Sequence, residues 1–198
     1  IGATKAPTSV TLDLDDTTGN MSIGAITAAT IVVDASEGTG TVTTSNNVTA
    51  SKALTYLGNG LNANTVKAVL DATVNAVTVA ITGGLGTDAI TVTMIDNSDT
   101  NVTTLSIDGG LGNADTLLLD ALTAATAADL ITTNATISGI ETLSVAGDAT
   151  DQVKINASAI SGQTIALKGV TANDDLYLTG TDNSDSIDFS KLTDGGNN

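Results

Sequence analysis

The sequence contains no cysteine, no histidine and no tryptophan, and its aromatic residues come down to two tyrosines and one phenylalanine in 198 positions. Each absence closes a class of chemistry. Without Cys or His there is no thiol nucleophile, no Ser-His-Asp triad, no zinc site of nitrogen and sulfur ligands and no His-ligated haem, so only oxygen atoms remain to hold a metal. Basic residues are scarce as well: 6 against 22 acidic ones, a net charge of −16. A chain so charged repels phosphate and anionic lipid, and no nucleic-acid partner is expected. No stretch approaches the roughly 18 uninterrupted apolar residues of a membrane-spanning helix, so no membrane insertion is expected, and no signal segment opens the chain. Asp174/Asp175 and Asp182/Asp185 offer paired carboxylates of the kind a glycosidase uses. With only Tyr56, Tyr177 and Phe189 as aromatic surfaces, and Phe189 at a core-type position, nothing supports a sugar-cleaving site. The chain is read as a non-enzyme.

What the chain does contain is threonine, 36 copies, and apolar side chains that are mostly Ala, Val, Leu and Ile. β-Branched residues favour pleated strands, and an aromatic-poor apolar set fills a thin layer better than a broad interior. A mean hydropathy of +0.23 sets the chain apart from the polar compositions of disordered segments. The acids are biased too, with 20 Asp and only Glu37 and Glu141 as Glu. Asp is the short carboxylate of tight turns, where it binds nearby backbone or a metal.

Apolar-x-apolar doublets recur along the chain, among them Val79/Ile81, Ile90/Val92, Leu105/Ile107, Leu117/Leu119, Leu143/Val145, Val153/Ile155, Ile165/Leu167, Leu176/Leu178 and Ile187/Phe189. Each has the period of two of a short strand with one buried face, and most steps are about 10 to 12 residues. An antiparallel sandwich and a parallel β-solenoid both produce such strands. The constant step from Ile165 to Leu176 to Ile187 favours stacked coils. The expected fold is therefore all-β, a parallel β-solenoid of β-roll-like coils, divided into a less regular segment over 1–75 and a repetitive one over 76–198. Short helices are expected after Asn64 and over Leu122 to Leu130. Asp96-Asn97-Ser98-Asp99 reappears as Asp182-Asn183-Ser184-Asp185, each followed by Asp-Gly-Gly at the same offset, at Asp108 and Asp194. That echo suggests internal duplication in a larger protein, of which this chain is a fragment.

The richest segment is Gly83-Gly84-Leu85-Gly86-Thr87-Asp88-Ala89-Ile90-Thr91, which fits the nonapeptide G-G-x-G-x-D-x-U-x at every position. Gly84 and Gly86 permit the tight turn, and Asp88 adds a carboxylate ahead of the apolar residue. Calcium suits such a loop because it takes six to eight oxygen ligands of mixed carbonyl and carboxylate type. Gly110, Gly112 and Asp115 repeat the pattern with one residue inserted before the acid. Gly169 with Asp174, and Gly180 with Asp185 and the nearby Asp182, keep the spacing without the inner glycines. The cluster Asp13, Asp15 and Asp16 lacks the glycine that an EF-hand loop requires.

These glycine-aspartate loops resemble the calcium-binding repeats-in-toxin (RTX) family. Their sparse placement in Thr/Ala/Val/Asn-rich β sequence, together with Ile137-Ser138-Gly139-Ile140-Glu141-Thr142-Leu143-Ser144-Val145, looks like the RTX-related bacterial surface-layer proteins of the Caulobacter and Campylobacter type. The resemblance implies an extracellular structural protein of the bacterial cell surface. It would bind Ca²⁺, assemble with copies of itself into a two-dimensional lattice, and be anchored on outer-membrane polysaccharide. Metal ligands would come from Gly84, Gly86, Asp88, Gly110, Gly112, Asp115, Asp174, Asp182 and Asp185. A calcium-dependent RTX adhesin segment is the alternative.

Overall fold

The computed structural model describes residues 7–195 except 45–47, 59–61, 71–76, 95–99, 122–129, 133, 147–152, 171–173, 175 and 181–187. In chain order the strands are β1 (Ser9–Asp13), β2 (Met21–Ile23), β3 (Ile26–Asp34), β4 (Val42–Thr44), β5 (Val48–Leu57) and β6 (Thr65–Leu70). They continue with β7 (Val77–Gly84), β8 (Ala89–Met94), β9 (Thr100–Gly110), β10 (Thr116–Asp120), β11 (Leu130–Thr132) and β12 (Ala135–Ser138). The last are β13 (Thr142–Ala146), β14 (Val153–Asn156), β15 (Ile165–Gly169), β16 (Leu176–Thr179) and β17 (Leu192–Asp194). Every pairing among the described residues is parallel, and the chain winds a β-solenoid of about 6 turns.

Three ladders run along the coil axis. The first stacks β1, β3, β5, β7, β9 and β12; the second stacks β2, β4, β6, β8, β10, β13, β15 and β17. A third joins the start of β9 to β11, β14 and β16. The coil is therefore longer than the doublet step. Ser9 pairs with Thr30, Leu54 with Val79 and Leu105 with Ala135, separations of 21, 25 and 30 residues. Most successive doublets occupy different ladders and do not stack on each other; Leu117/Leu119 and Leu143/Val145 are the exception, pairing directly in the second ladder.

The ladders stack like on like. Ile31, Leu54, Val79 and Leu105 form one buried rank of the first ladder, and Val33, Tyr56, Ile81 and Ile107 form the next. Ile90, Leu117 and Leu143 do the same in the second ladder, and all belong to one apolar cluster. Threonine is explained by the outer face. Thr43, Thr65, Ala89, Thr116, Thr142, Ala166 and Thr193 fall in register on consecutive coils of the second ladder, each at least partly exposed. β-Branched residues directly opposite one another on neighbouring strands stabilise a ladder.

Several expectations change. Residues 65–70 form β6 and not a helix, because pairing with β4, β5 and β8 outweighs the helical spacing of Val66, Val69 and Leu70. Of the second expected helix, 122–129 lies outside the described residues and Leu130 opens a strand. The only helical turn among the described residues is a short 3₁₀ segment, Ala157–Ala159. Phe189, placed in the core by its alternation, is 41% exposed. The two copies of the acidic echo are not equivalent either: Asp108 lies in the first ladder opposite Ser138, and Asp194 in the second opposite Leu167.

Candidate metal corner

The glycine-aspartate loops turn the chain from the first ladder into the second. β7 ends at Gly84 and β8 begins at Ala89; β9 ends at Gly110 and β10 begins at Thr116. Gly84 and Gly110 pair in register, and the Leu111 N–H donates to the Gly84 carbonyl at 2.9 Å. Gly110 adopts φ +96°, in the left-handed region that glycine tolerates and other residues resist. Gly86 lies against the backbone of Asn62 and Ala63 in the preceding coil. At Gly112 a side chain would collide with the Gly86 carbonyl and with both carboxylate oxygens of Asp115, each 2.7 Å from a Cβ placed there. The inner glycines are thus required by close approach of coil to coil.

Asp88 and Asp115 are both fully buried. Asp88 Oδ1 accepts the Asn64 N–H at 2.5 Å and the Asn64 Nδ2–H at 2.8 Å, and its Oδ2 accepts the Gly84 N–H at 2.7 Å. One carboxylate so ties the corner of its own coil to the coil before it. Asp115 Oδ1 accepts the Asp88 N–H at 2.7 Å, and the Asp115 N–H in turn donates to Glu141 Oε2 at 2.7 Å. Backbone bonds return in the opposite sense, from Ala89 N to Asn64 O and from Thr116 N to Asp88 O, both 2.8 Å. Asn64, Asp88, Asp115 and Glu141 therefore form one column at the corner, a residue per coil, each linked to the next by its side chain and its backbone.

Among the described residues no hydrogen-bond donor reaches Asp115 Oδ2. Burial pushes the Asp115 carboxyl above its usual value; the Asp88 N–H counteracts this, while the charges of Asp88, Glu141 and Asp108 add to it. Burial, reinforced by Asp88, also holds the Tyr56 phenol well above its ordinary value. Its hydroxyl donates to Asn64 Oδ1 at 3.3 Å, joining the column to the apolar core.

The other sequence candidates lie elsewhere. Asp174 is half-buried ahead of β16, on the third ladder, beside a cavity of about 180 Å³ lined by Leu143, Val145, Leu167, Lys168, Gly169 and Leu176. It shares the Asp-x-apolar spacing of Asp88 without sharing its column. Asp182 and Asp185 lie outside the described residues. Asp13, Asp15 and Asp34 make turn contacts: Asp13 Oδ1 accepts Asp15 N–H, Asp15 Oδ1 accepts Glu37 N–H, and Asp34 Oδ1 accepts the Ser36 hydroxyl.

Sequence reasoning missed Asn64, Glu141 and Tyr56 as members of the corner. The signal was present in the tetrads Asn64-Thr65-Val66-Lys67, Asp88-Ala89-Ile90-Thr91, Asp115-Thr116-Leu117-Leu118 and Glu141-Thr142-Leu143-Ser144. Each sets an amide or acid, then a small residue, immediately before an apolar residue of a second-ladder strand. Among the described residues no three acidic side chains converge as a metal-binding group. A cation here would rest on carbonyl oxygens with one carboxylate, a donor set suited to calcium. The Asp115 corner fits it, having a buried carboxylate oxygen without a partner among the described residues and, around Gly112, both that carboxylate and the Gly86 carbonyl. Comparison with known proteins gives no matching family model, no matching curated protein and no matching solved structure.

Proposed function

We propose that the chain is a non-catalytic structural module of a secreted bacterial surface-layer protein, a β-solenoid whose folding and self-assembly are driven by Ca²⁺. The observation that carries the reading is the orphaned oxygen of Asp115, buried in a corner that already holds the negative charges of Asp88, Glu141 and Asp108. A buried charge without compensation is costly. Bound calcium would supply the missing positive charge, held by Asp115 and backbone carbonyls such as that of Gly86. The chain's own residues do the rest. Gly110 and Gly112 bring consecutive coils into contact, Asp88 pins the coil below, and Glu141 fastens the coil above. In a compartment poor in calcium, 22 acids repel one another and keep the chain loose for export. Extracellular sites bind calcium at about 10⁻⁴ to 10⁻³ M, and an ion at 100 times its dissociation constant adds about 2.7 kcal/mol.

The test is a calcium titration of the chelator-stripped chain, followed by circular dichroism, melting temperature and light scattering, with magnesium as control. A calcium-selective rise in melting temperature with growth of ordered assemblies is expected. A calcium-stabilised chain that stays monomeric would move the reading to an adhesin segment. A chain indifferent to calcium would leave a repetitive scaffold with ordinary turns.

A further inference from the structure

The two glycine corners are alike in sequence and opposite in the state of their carboxylates. At Asp88 both oxygens are occupied, by the Asn64 N–H, the Asn64 Nδ2–H and the Gly84 N–H, and the side chain has no exposed surface. Three donors aimed at one carboxylate supply the positive potential that a cation would supply. Two of them are main-chain groups held by the ladder, because the Asn64 carbonyl accepts from Ala89 and Gly84 is paired with Gly110. They cannot turn away without opening the strands. At the second corner the inserted residue lengthens the loop between Gly112 and Asp115. There the Gly110 N–H, the counterpart of the Gly84 donor, goes to Asp108 Oδ1 at 3.1 Å, and Asp115 Oδ2 has no donor among the described residues.

We infer that the corner matching the calcium nonapeptide at every position works without an ion, Asp88 being a clamp that replaces the cation by N–H groups, and that of the two corners only the one at Asp115 takes a cation. The second half rests on the calcium reading of Proposed function; the first half does not. The inserted residue, a departure from the motif, is what frees the ligand.

Asp88→Asn and Asp115→Asn, each against the parent chain, separate the roles through melting temperature in chelator and in millimolar calcium, with calcium stoichiometry by calorimetry. Asp88→Asn turns one acceptor into a donor facing N–H groups, and a loss of roughly 5 °C or more is expected, already present in chelator. Its calcium stoichiometry should match the parent's and a calcium increment should persist, reduced only by the lost charge of Asp88 beside Asp115. Asp115→Asn should lose the calcium increment and melt in chelator no lower than the parent. Loss of the increment in Asp88→Asn, or a melting temperature like the parent's, overturns the clamp. Should Asp88→Asn fail to fold, Asn64→Ala removes one donor, and a reduced melting temperature with the increment intact supports the clamp; a lost increment overturns it. A parent chain without any calcium increment overturns the cation half and the calcium reading together, while equal losses for Asp88→Asn in both buffers still uphold the clamp.

Discussion

Asp115 is the residue whose electrostatics the fold leaves unbalanced, and its pH dependence follows from that. Its folded carboxyl lies above the usual 3.8, chiefly because of burial. An acid with a raised folded pKa binds its proton more tightly in the fold, so its contribution favours the fold below the unfolded value and is lost as pH rises through the folded one. In chelator, the melting temperature of the parent relative to Asp115→Asn is therefore expected to fall as pH rises from about 4 towards neutrality. Paired thermal melts across that range check it; a constant difference would show that Asp115 titrates as it does in the unfolded chain. Asp88 illustrates how much of a residue's role is decided by its partners. Its nonapeptide position reads as a ligand, yet its oxygens hold backbone donors of two coils.

At the scale of the strand, alternation was legible and partnership was not. The doublets Val79/Ile81, Ile90/Val92, Leu105/Ile107 and Leu117/Leu119 are buried as their period requires, because a strand in a coil presents alternate side chains to the interior. Which doublet lies on which depends on the number of residues at each corner, and those numbers vary from coil to coil. Residues 65–70 show the limit of local pattern, since their helical spacing is overridden by neighbours on both sides. The register can be tested at β10. Leu117→Ala, in the core, is expected to cost about 3 kcal/mol, whereas Leu118→Ala, half-buried on the outer side, should cost under about 1 kcal/mol. Chemical denaturation of the two variants checks this, and equal losses would contradict the inward and outward assignment.

Over the whole molecule, a charge of −16 is spread along a stack that is only a thin apolar layer wide. Like charges on neighbouring coils repel, and dissolved salt screens that repulsion over about 10 Å at 0.1 M. In the presence of chelator, raising sodium chloride from about 10 to 150 mM should raise the melting temperature through screening alone. Calcium should act at far lower concentration and through Asp115. The parent chain and Asp115→Asn should respond alike to sodium chloride and differently to calcium. An identical response to both salts would reduce the calcium effect to screening.

The sequence by itself determined the class of the fold, because β-branched residues at period two, glycine turns and a nearly aromatic-free apolar set admit little but thin stacked strands. It also determined that a metal here would rest on oxygen ligands, since the chain has neither Cys nor His and only two Met. Only the tertiary structure decided the coil length, which is set by cross-coil register and not by any local period. Only the structure gathered Asn64, Asp88, Asp115 and Glu141, separated by 24, 27 and 26 residues, into one hydrogen-bonded column. The difference between a satisfied carboxylate and an orphaned one rests on which backbone N–H points at it, and that is fixed by the coils above and below.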